Sequence, residues 1–276
     1  MPRQASPAAS CRSCRTLATM KPYELFEVLA GKTWRSIERF SRNRIHLGED
    51  AITSNNLDAL ASAGPACVFI EDTRAQESTK GCDFELWIGS SYMGWRRYAV
   101  QAKKIHVSSS RYASLAHEVG GVPQIDILDA YASANRALPI YCFYNHSTKP
   151  YKWNCSLSPE LEQLGCSVTP SFVVRKAIAK HGARNFTHMH SQQETLPWRC
   201  LLRCPSFVSK SASGHAGWPS LADSFYPQLP APLQRLRAQP GRISFEDQPD
   251  LFNSNNRFRP QWIGIVDVAG QSRDGG

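Results

Sequence analysis

The sequence predicts an α/β protein in which helices pack on both sides of a mixed β-sheet, and three observations carry this prediction. Segments with helical apolar spacing alternate with short strand-like runs along the chain. Two strand-like runs flank a turn between residues 81 and 104, which is typical of a hairpin. The run LPIYCFYN (138–145) is short, almost wholly apolar and bounded by turn residues, as expected of a buried strand.

The first half of the chain begins with a helix and ends with the hairpin. Pro22 suits the first position of a helix, and apolar residues then recur at helical spacing. We expect Gly31 to interrupt this helix, which resumes and continues to about Arg44. A second helix is predicted over 49–61, followed by a strand at ACVFIED (66–72) and the hairpin at 81–104.

The second half repeats the alternation. Pro123 is predicted to open a helix in PQIDILDAYASANR, and Pro170 to open another that Gly182 ends. The helix that Pro123 opens is followed by the strand at 138–145. The helix that Pro170 opens follows a predicted strand at 165–169. A final strand is predicted at 261–270. We expect a floppy tail over 1–19 (Met20 being an alternative start), an α/β core over 20–204, and a Pro/Ser-rich extension over 205–276.

The composition excludes several classes of protein. Hydrophobic residues make up 42% of the 276, which argues against wholesale disorder, and no run approaches 18 consecutive apolar residues, so no membrane span is predicted. The first 19 residues have no apolar segment of a secretory signal, so we expect a cytoplasmic protein.

Positive charge is concentrated at the start of the chain. The net charge is +9, and residues 1–48 hold nine Lys and Arg against three Glu. Arg35, Arg39 and Arg42 fall at helical i, i+4, i+7 spacing and therefore on one helix face. Nucleic acid is the polyanion that such a face suits. A basic face that only keeps the protein soluble is the alternative.

Nine cysteines are an odd number in a chain for which no export is predicted, and this favours reduced thiols over a disulfide framework. Cys67 and Cys142 lie in apolar runs and are expected in the core. The pairs Cys11–Cys14 and Cys200–Cys204 also allow zinc, with His188 and His190 near the second pair, although neither pair has a matched partner at finger-like spacing.

The hairpin carries polar residues two apart on each strand. Asp83 and Glu85 share one face of the first strand, and Gln101 and Lys103 share one face of the second. A register with Asp83 opposite Gln101 or Lys103 would gather all four groups on one patch. The carboxylates and the amide offer oxygen ligands to Mg²⁺, and the lysine offers a cation to a reacting phosphate. A solvent-facing hairpin with a cross-strand ion pair is the structural alternative.

The Asp-Phe-Glu of the first strand and the Gln-Ala-Lys of the second resemble the motif of the PD-(D/E)XK, or restriction-endonuclease-like, nuclease superfamily, in the variant that has Gln in place of the second acid. The chain departs from the motif at Cys82, where Pro is usual. Residues 45–205 also resemble a family of uncharacterised bacterial proteins with this core. The resemblance implies an αβββαβ core with the mixed sheet flanked by helices.

The resemblance also implies site residues. Asp83, Gln101, Lys103 and Glu49 would be catalytic, and Asp83, Glu49, Gln101 and Glu85 would hold Mg²⁺ or Mn²⁺. Nucleic acid would be bound by a set of polar and basic residues: Gln124, Lys104, Arg35, Arg39 and Arg42.

The implied function is a metal-dependent nuclease that cuts phosphodiester bonds, with DNA as the expected partner, in bacterial defence or repair. Two alternatives stay open: a nuclease-fold module that binds nucleic acid without cutting it, and a protein-interaction scaffold in which these residues form surface ion pairs.

Overall fold

The computed structural model of this protein describes residues 20–62, 67–71, 80–204, 207, 217–220, 222–238 and 259–269. The predicted tail at 1–19 lies outside these ranges, as do the end residues of the predicted strand at 66–72. The helices are α1 (Pro22–Arg42), α2 (Glu49–Ala61), α3 (Gln124–Ala134), α4 (Ser171–Ala179), α5 (Phe186–Ser191), α6 (Cys200–Arg203) and α7 (Ala231–Ala238).

The first helix is continuous, and the predicted interruption at Gly31 is wrong. Pro22 occupies the first turn as predicted, and the Glu24 carboxylate accepts a hydrogen bond from the Lys21 N–H at 3.0 Å. The helix then runs unbroken through Gly31 to Arg42. Tertiary packing outweighs the low helix propensity of glycine here, because both flanking turns bury an apolar face against the protein core.

The strands form one mixed sheet and one small two-stranded ladder. In chain order they are β1 (Cys67–Glu71), β2 (Lys80–Ser90), β3 (Gly94–Lys104), β4 (Glu118–Val119), β5 (Val122–Pro123), β6 (Leu138–Tyr144), β7 (Cys166–Pro170), β8 (Leu196–Pro197), β9 (Phe225–Tyr226) and β10 (Arg259–Asp267). The main sheet has the order β1-β10-β2-β3-β6-β7-β8, with β9 paired to β3, and β4 pairs with β5. The mixed α/β fold class predicted from the sequence is confirmed.

The helices cover opposite faces of the sheet. Thr53 of α2 hydrogen-bonds Tyr144 of β6 on one face, where α1 also packs. Tyr131 of α3 hydrogen-bonds Glu85 of β2 on the other face, where α4 packs beside α3. Alternation along the strands therefore turns Tyr141 and Gln101 toward α3, since they have the parity of Glu85 across the paired strands.

The C-terminal segment is part of the sheet. β10 lies between β1 and β2, antiparallel to the first and parallel to the second. Its Ile263 and Ile265 form a second apolar cluster with Trp87, Trp95 and residues of α7. The predicted order helix, three strands, helix, strand is present from α2 to β6, but β10 separates β1 from β2 in space.

No helix within the described ranges is both long enough and apolar enough to span a lipid bilayer.

Candidate active site

The hairpin brings Asp83 and Gln101 together. Phe84 pairs with Val100 across β2 and β3, and continuing this antiparallel register by one residue sets Asp83 opposite Gln101. The Gln101 amide donates a short hydrogen bond to Asp83 Oδ2, and the Ala102 N–H donates to the same oxygen at 2.7 Å. One carboxylate oxygen is therefore fixed by two donors from β3.

Glu49 reaches the same end of β3 from the first turn of α2. Its Oε1 lies 3.4 Å from Lys103 Nζ, and its Oε2 accepts the Lys104 N–H at 2.6 Å. An acidic residue at a helix N-terminus is also stabilised by the helix dipole. The sequence places this acid 54 residues before the lysine, and only the fold makes them neighbours.

The two carboxylates lie along one edge of β3. Asp83 and Glu49 accept the N–H groups of Ala102 and Lys104, which are two residues apart in one strand. Backbone N–H groups at i and i+2 point to the same side of a strand and are about 7 Å apart. Both acids therefore line the side of β3 that faces β2, with Lys103 between their two anchoring points.

Two of the four side chains of the site are removed from water, whereas Asp83 and Glu49 are partly exposed. Gln101 is 2% exposed and Lys103 is 4% exposed. Burial also lowers the pKa of the neighbouring Lys104, an effect that the Glu49 carboxylate partly offsets. Charges in such a place interact more strongly than they would at a wetted surface.

Glu85, predicted as a metal ligand, belongs to a different network. Its carboxylate is fully buried and pairs with Arg97 Nη2 at 2.6 Å, while Tyr131 Oη donates to Oε1 at 2.5 Å and Trp87 Nε1 donates to Oε2 at 3.2 Å. Arg97 also donates to the Asn135 carbonyl at 2.7 Å. With both oxygens engaged, Glu85 is placed outside the site. The sequence pattern did not reveal Arg97, which lies on β3 two residues before Ala99, the residue opposite Glu85.

Three buried polar atoms on the site's side of the sheet have no hydrogen-bond partner among the described residues: Gln124 Oε1, Tyr141 Oη and Asp129 Oδ1, whose other oxygen pairs with Arg175. Gln124 Oε1, at the start of α3, is buried and unpaired. Tyr141 Oη is also buried and unpaired, and its residue is the β6 partner of Gln101. Burial raises the pKa of Tyr141, and the charges of Asp129 and Asp83 add to that rise. Sequence analysis did not single out Tyr141, because it lies within the apolar run at 138–145.

The site lies inside a region that matches one family model. That model describes a family of unknown function, DUF6615, and it covers residues 22–260, from the first helix to the beginning of β10. The chain belongs to the DUF6615 family. No curated protein and no solved structure matches it. The function of this DUF6615 protein has therefore to be argued from the geometry of its own residues.

The three α1 arginines of the DUF6615 chain differ in their surroundings. Arg35 forms a short ion pair with Glu162, in the 3-10 turn Leu161–Gly165 that packs on α1. Arg39 and Arg42 are exposed near the helix end, where Arg39 lies over the Phe40 ring. Arg35 is thus neutralised, while the other two present their charge to solvent.

His190, one of the two histidines considered as zinc ligands, has other partners. His190 is buried, with Nε2 2.9 Å from Ser167 Oγ and Nδ1 2.9 Å from the Phe186 carbonyl. Burial lowers the pKa of His190 to about 4. Cys142 is buried in the core as predicted, whereas the side chain of Cys67 lies outside the described part.

Proposed function

We propose that this protein is a metal-dependent nuclease that hydrolyses phosphodiester bonds, with DNA as its substrate. One observation carries the proposal. Two carboxylates from distant parts of the chain, Asp83 and Glu49, flank the buried Lys103 at the end of β3. A site that gathers oxygen ligands for a cation beside a fixed positive charge suits a phosphate group in the course of hydrolysis.

The residues present fit a hard divalent cation. Asp83 and Glu49 supply carboxylate oxygens, and Gln101 supplies a neutral oxygen when its terminal amide rotates by half a turn. Gln124, which has a buried oxygen without a partner among the described residues, is a further polar group on this side of the sheet. Mg²⁺ or Mn²⁺ bound there would polarise the phosphate and lower the pKa of a coordinated water.

The protein's own contribution is positioning. The N–H groups of Ala102 and Lys104 hold one oxygen of each carboxylate, so the acids are oriented before any ligand arrives. Lys103 is buried, and its ammonium group has Glu49 beside it. In this dry position it would stabilise negative charge developing on a phosphate far more than an exposed lysine could.

A second function, binding nucleic acid without cutting it, is favoured by a specific observation. In this structure the polar groups of the site satisfy one another: Gln101 donates to Asp83, and Lys103 pairs with Glu49. A neutral Gln in place of an acid also leaves the site with one ligand charge fewer. Such an arrangement would suit a module whose affinity comes from basic surface alone.

The deciding experiment is cleavage of supercoiled plasmid, linear duplex and single-stranded DNA, and RNA, each with Mg²⁺, Mn²⁺ or Ca²⁺. Wild-type protein should cut DNA with Mg²⁺ or Mn²⁺. Lys103→Met and Asp83→Asn should each lose about a hundredfold or more of the rate. Lys149→Met, at an exposed lysine, is the matched control and should cut normally.

The results of this experiment distinguish a nuclease from a module that binds nucleic acid without cutting it. DNA binding without cleavage under every condition would support the binding module and reject the nuclease. Cleavage that survives in both site variants would mean that the activity comes from elsewhere or from a contaminant. Cleavage of RNA alone would leave the site in place and correct the substrate.

A further inference from the structure

Three cysteines meet outside the proposed active site. Cys155 lies in the loop after β6, Cys200 begins α6, and Cys204 directly follows that helix. The Cys155 sulfur is 3.2 Å from the Cys200 sulfur and 3.8 Å from that of Cys204, and the three sulfurs all lie within 4.8 Å of one another. All three side chains are buried. The spacing of Cys200 and Cys204 in the sequence already indicated that pair, whereas only the fold brings Cys155 to them.

The positions of these cysteines are set by contacts that do not involve sulfur. Cys200 and Cys204 are four residues apart on one helical turn, where the Cys204 N–H donates to the Cys200 carbonyl at 3.1 Å. The loop is held to α6 by Arg199, whose Nη2 donates to the Ser158 carbonyl at 2.9 Å. The Asn154 amide donates to the Gln192 carbonyl at 2.7 Å. The cluster is therefore preorganised by the surrounding fold.

Ordinary core packing accounts poorly for this arrangement. Cys82 and Cys142 are buried without another sulfur among their hydrogen-bond partners in the described ranges, as isolated core cysteines are. A disulfide would join only two of the three sulfurs and leave the third beside it. Three sulfurs in mutual contact are instead what a thiophilic ion requires. With zinc–sulfur bonds of about 2.3 Å, tetrahedral geometry places sulfurs about 3.8 Å apart.

A backbone donor already points at the cluster. The Leu157 N–H lies 3.3 Å from the Cys155 sulfur, and the Ser156 hydroxyl lies 3.9 Å from the Cys204 sulfur. Donors of this kind stabilise a thiolate more than a thiol, because the negative sulfur is the better acceptor. They form the outer shell that metal-bound thiolates usually have.

We propose that Cys155, Cys200 and Cys204 bind one Zn²⁺ ion as thiolates. Each thiol loses its proton to solvent on binding, so three protons leave as three zinc–sulfur bonds form, and the oxidation state of sulfur does not change. No histidine or carboxylate of the described residues joins the three sulfurs, which leaves the fourth tetrahedral position to a ligand outside this group.

The expected role of the ion is structural. Arg199, next to Cys200, pairs with Glu27 of α1 at 3.0 Å, and Trp198 Nε1 donates to the Phe26 carbonyl at 2.7 Å. Zinc at the cluster would tie the loop after β6 to α6, and through these contacts to α1. The inference does not depend on the nuclease proposal, since it concerns other residues and another ion.

The test is the zinc content of the full chain, expressed with added zinc and purified without chelator. Elemental analysis should find about one zinc per chain. Cys155→Ser, Cys200→Ser and Cys204→Ser should each lose it. Two controls should keep it: Cys142→Ala, at a buried cysteine outside the cluster, and the double variant Cys11→Ser/Cys14→Ser, at the other closely spaced pair in the sequence.

A measurement on the wild type covers the case in which the serine variants fail to fold. Replacing zinc by Co²⁺ should give the intense near-ultraviolet absorption of thiolate-to-cobalt charge transfer, and removing the metal should lower the melting temperature. The proposal fails if wild type binds neither zinc nor cobalt, or if it contains iron instead. It also fails if protein purified in the presence of a thiol reductant still holds a Cys155–Cys200 disulfide, or if the double variant Cys11→Ser/Cys14→Ser loses its zinc.

Discussion

Lys103 and Glu49 meet at the end of the hairpin, with the ammonium nitrogen 3.4 Å from a carboxylate oxygen. The same carboxylate accepts the N–H of the residue after the lysine. Glu49 thus holds both the side chain and the strand end that would face a phosphate. A buried lysine is costly unless it is paired, and Glu49 supplies that pairing here.

Changing Gln101 to glutamate tests the proposed ligand set. Gln101→Glu places a second carboxylate against Asp83, so the ion-free protein should lose about 1 kcal/mol of unfolding free energy at pH 7 through repulsion. Mn²⁺ should bind on the order of tenfold more tightly, because ligand charge sets affinity for hard cations. Calorimetric titration measures the Mn²⁺ affinity and denaturant unfolding measures the stability, with Gln193→Glu, at an exposed glutamine, as control for both. Unchanged Mn²⁺ affinity would remove Gln101 from the ligands.

Glu85 should behave as a structural residue. Glu85→Gln leaves the Arg97 guanidinium buried without its countercharge and should cost about 3–5 kcal/mol in denaturant unfolding. Asp126→Asn, which breaks the half-exposed pair with Arg175, is the matched control and should cost under about 1 kcal/mol. Loss of metal affinity without loss of stability in Glu85→Gln would return this residue to the metal site.

The sequence predicted the elements better than their neighbours in space. The bounds of α2 match the prediction, because periodicity and an acidic first turn are local signals. The predicted interruption at Gly31 was wrong because packing on both sides of this residue outweighs the low helix propensity of glycine. The position of β10 between β1 and β2 had no local signal at all, since strand order depends on contacts between residues about 180 apart.

The site was predictable to the extent that it follows strand alternation. Asp83 and Gln101 meet because the hairpin register dictates it. Glu85 has the same alternation, yet Arg97 of β3 neutralises it and Tyr131 of α3 hydrogen-bonds it, and no pattern in β2 reveals those partners. Cys155 escaped notice for the same reason, because the loop that carries it is joined to α6 only by the fold.

The α1 arginines should contribute unequally to DNA binding. Arg39 and Arg42 are exposed, so Arg39→Gln/Arg42→Gln should weaken binding and reduce the slope of log Kd against log salt by about 1 to 2. The double variant Arg35→Gln/Glu162→Gln should change little, since it removes an ion pair that carries no net charge. Fluorescence anisotropy across a salt series measures the slopes. Equal slopes in wild type and the double variant would identify the basic face as a solubility feature.

His190 should make the protein acid-sensitive. Burial lowers its folded-state pKa to about 4, below the unfolded value of about 6.5, so the unfolded chain binds the proton first as pH falls. The contribution of neutral His190 to the free energy of unfolding is fully present above about pH 6.5. About 3 kcal/mol of that free energy is lost as the pH falls from about 6.5 to 4. His190→Gln should flatten this part of the stability curve, whereas His188→Gln should largely keep it. An unchanged slope in His190→Gln would assign the acid sensitivity to other groups.

The most direct test of the proposed metal site is anomalous diffraction from crystals of the full chain soaked in Mn²⁺. We expect a manganese peak about 2.0–2.4 Å from an Asp83 oxygen, with Glu49 or Gln101 in the same coordination shell and Lys103 beside it. Glu85 should remain on Arg97 in the same crystals. A well-occupied manganese ion elsewhere, or none at saturating concentration while Asp83 keeps both of its β3 donors, would contradict the central claim.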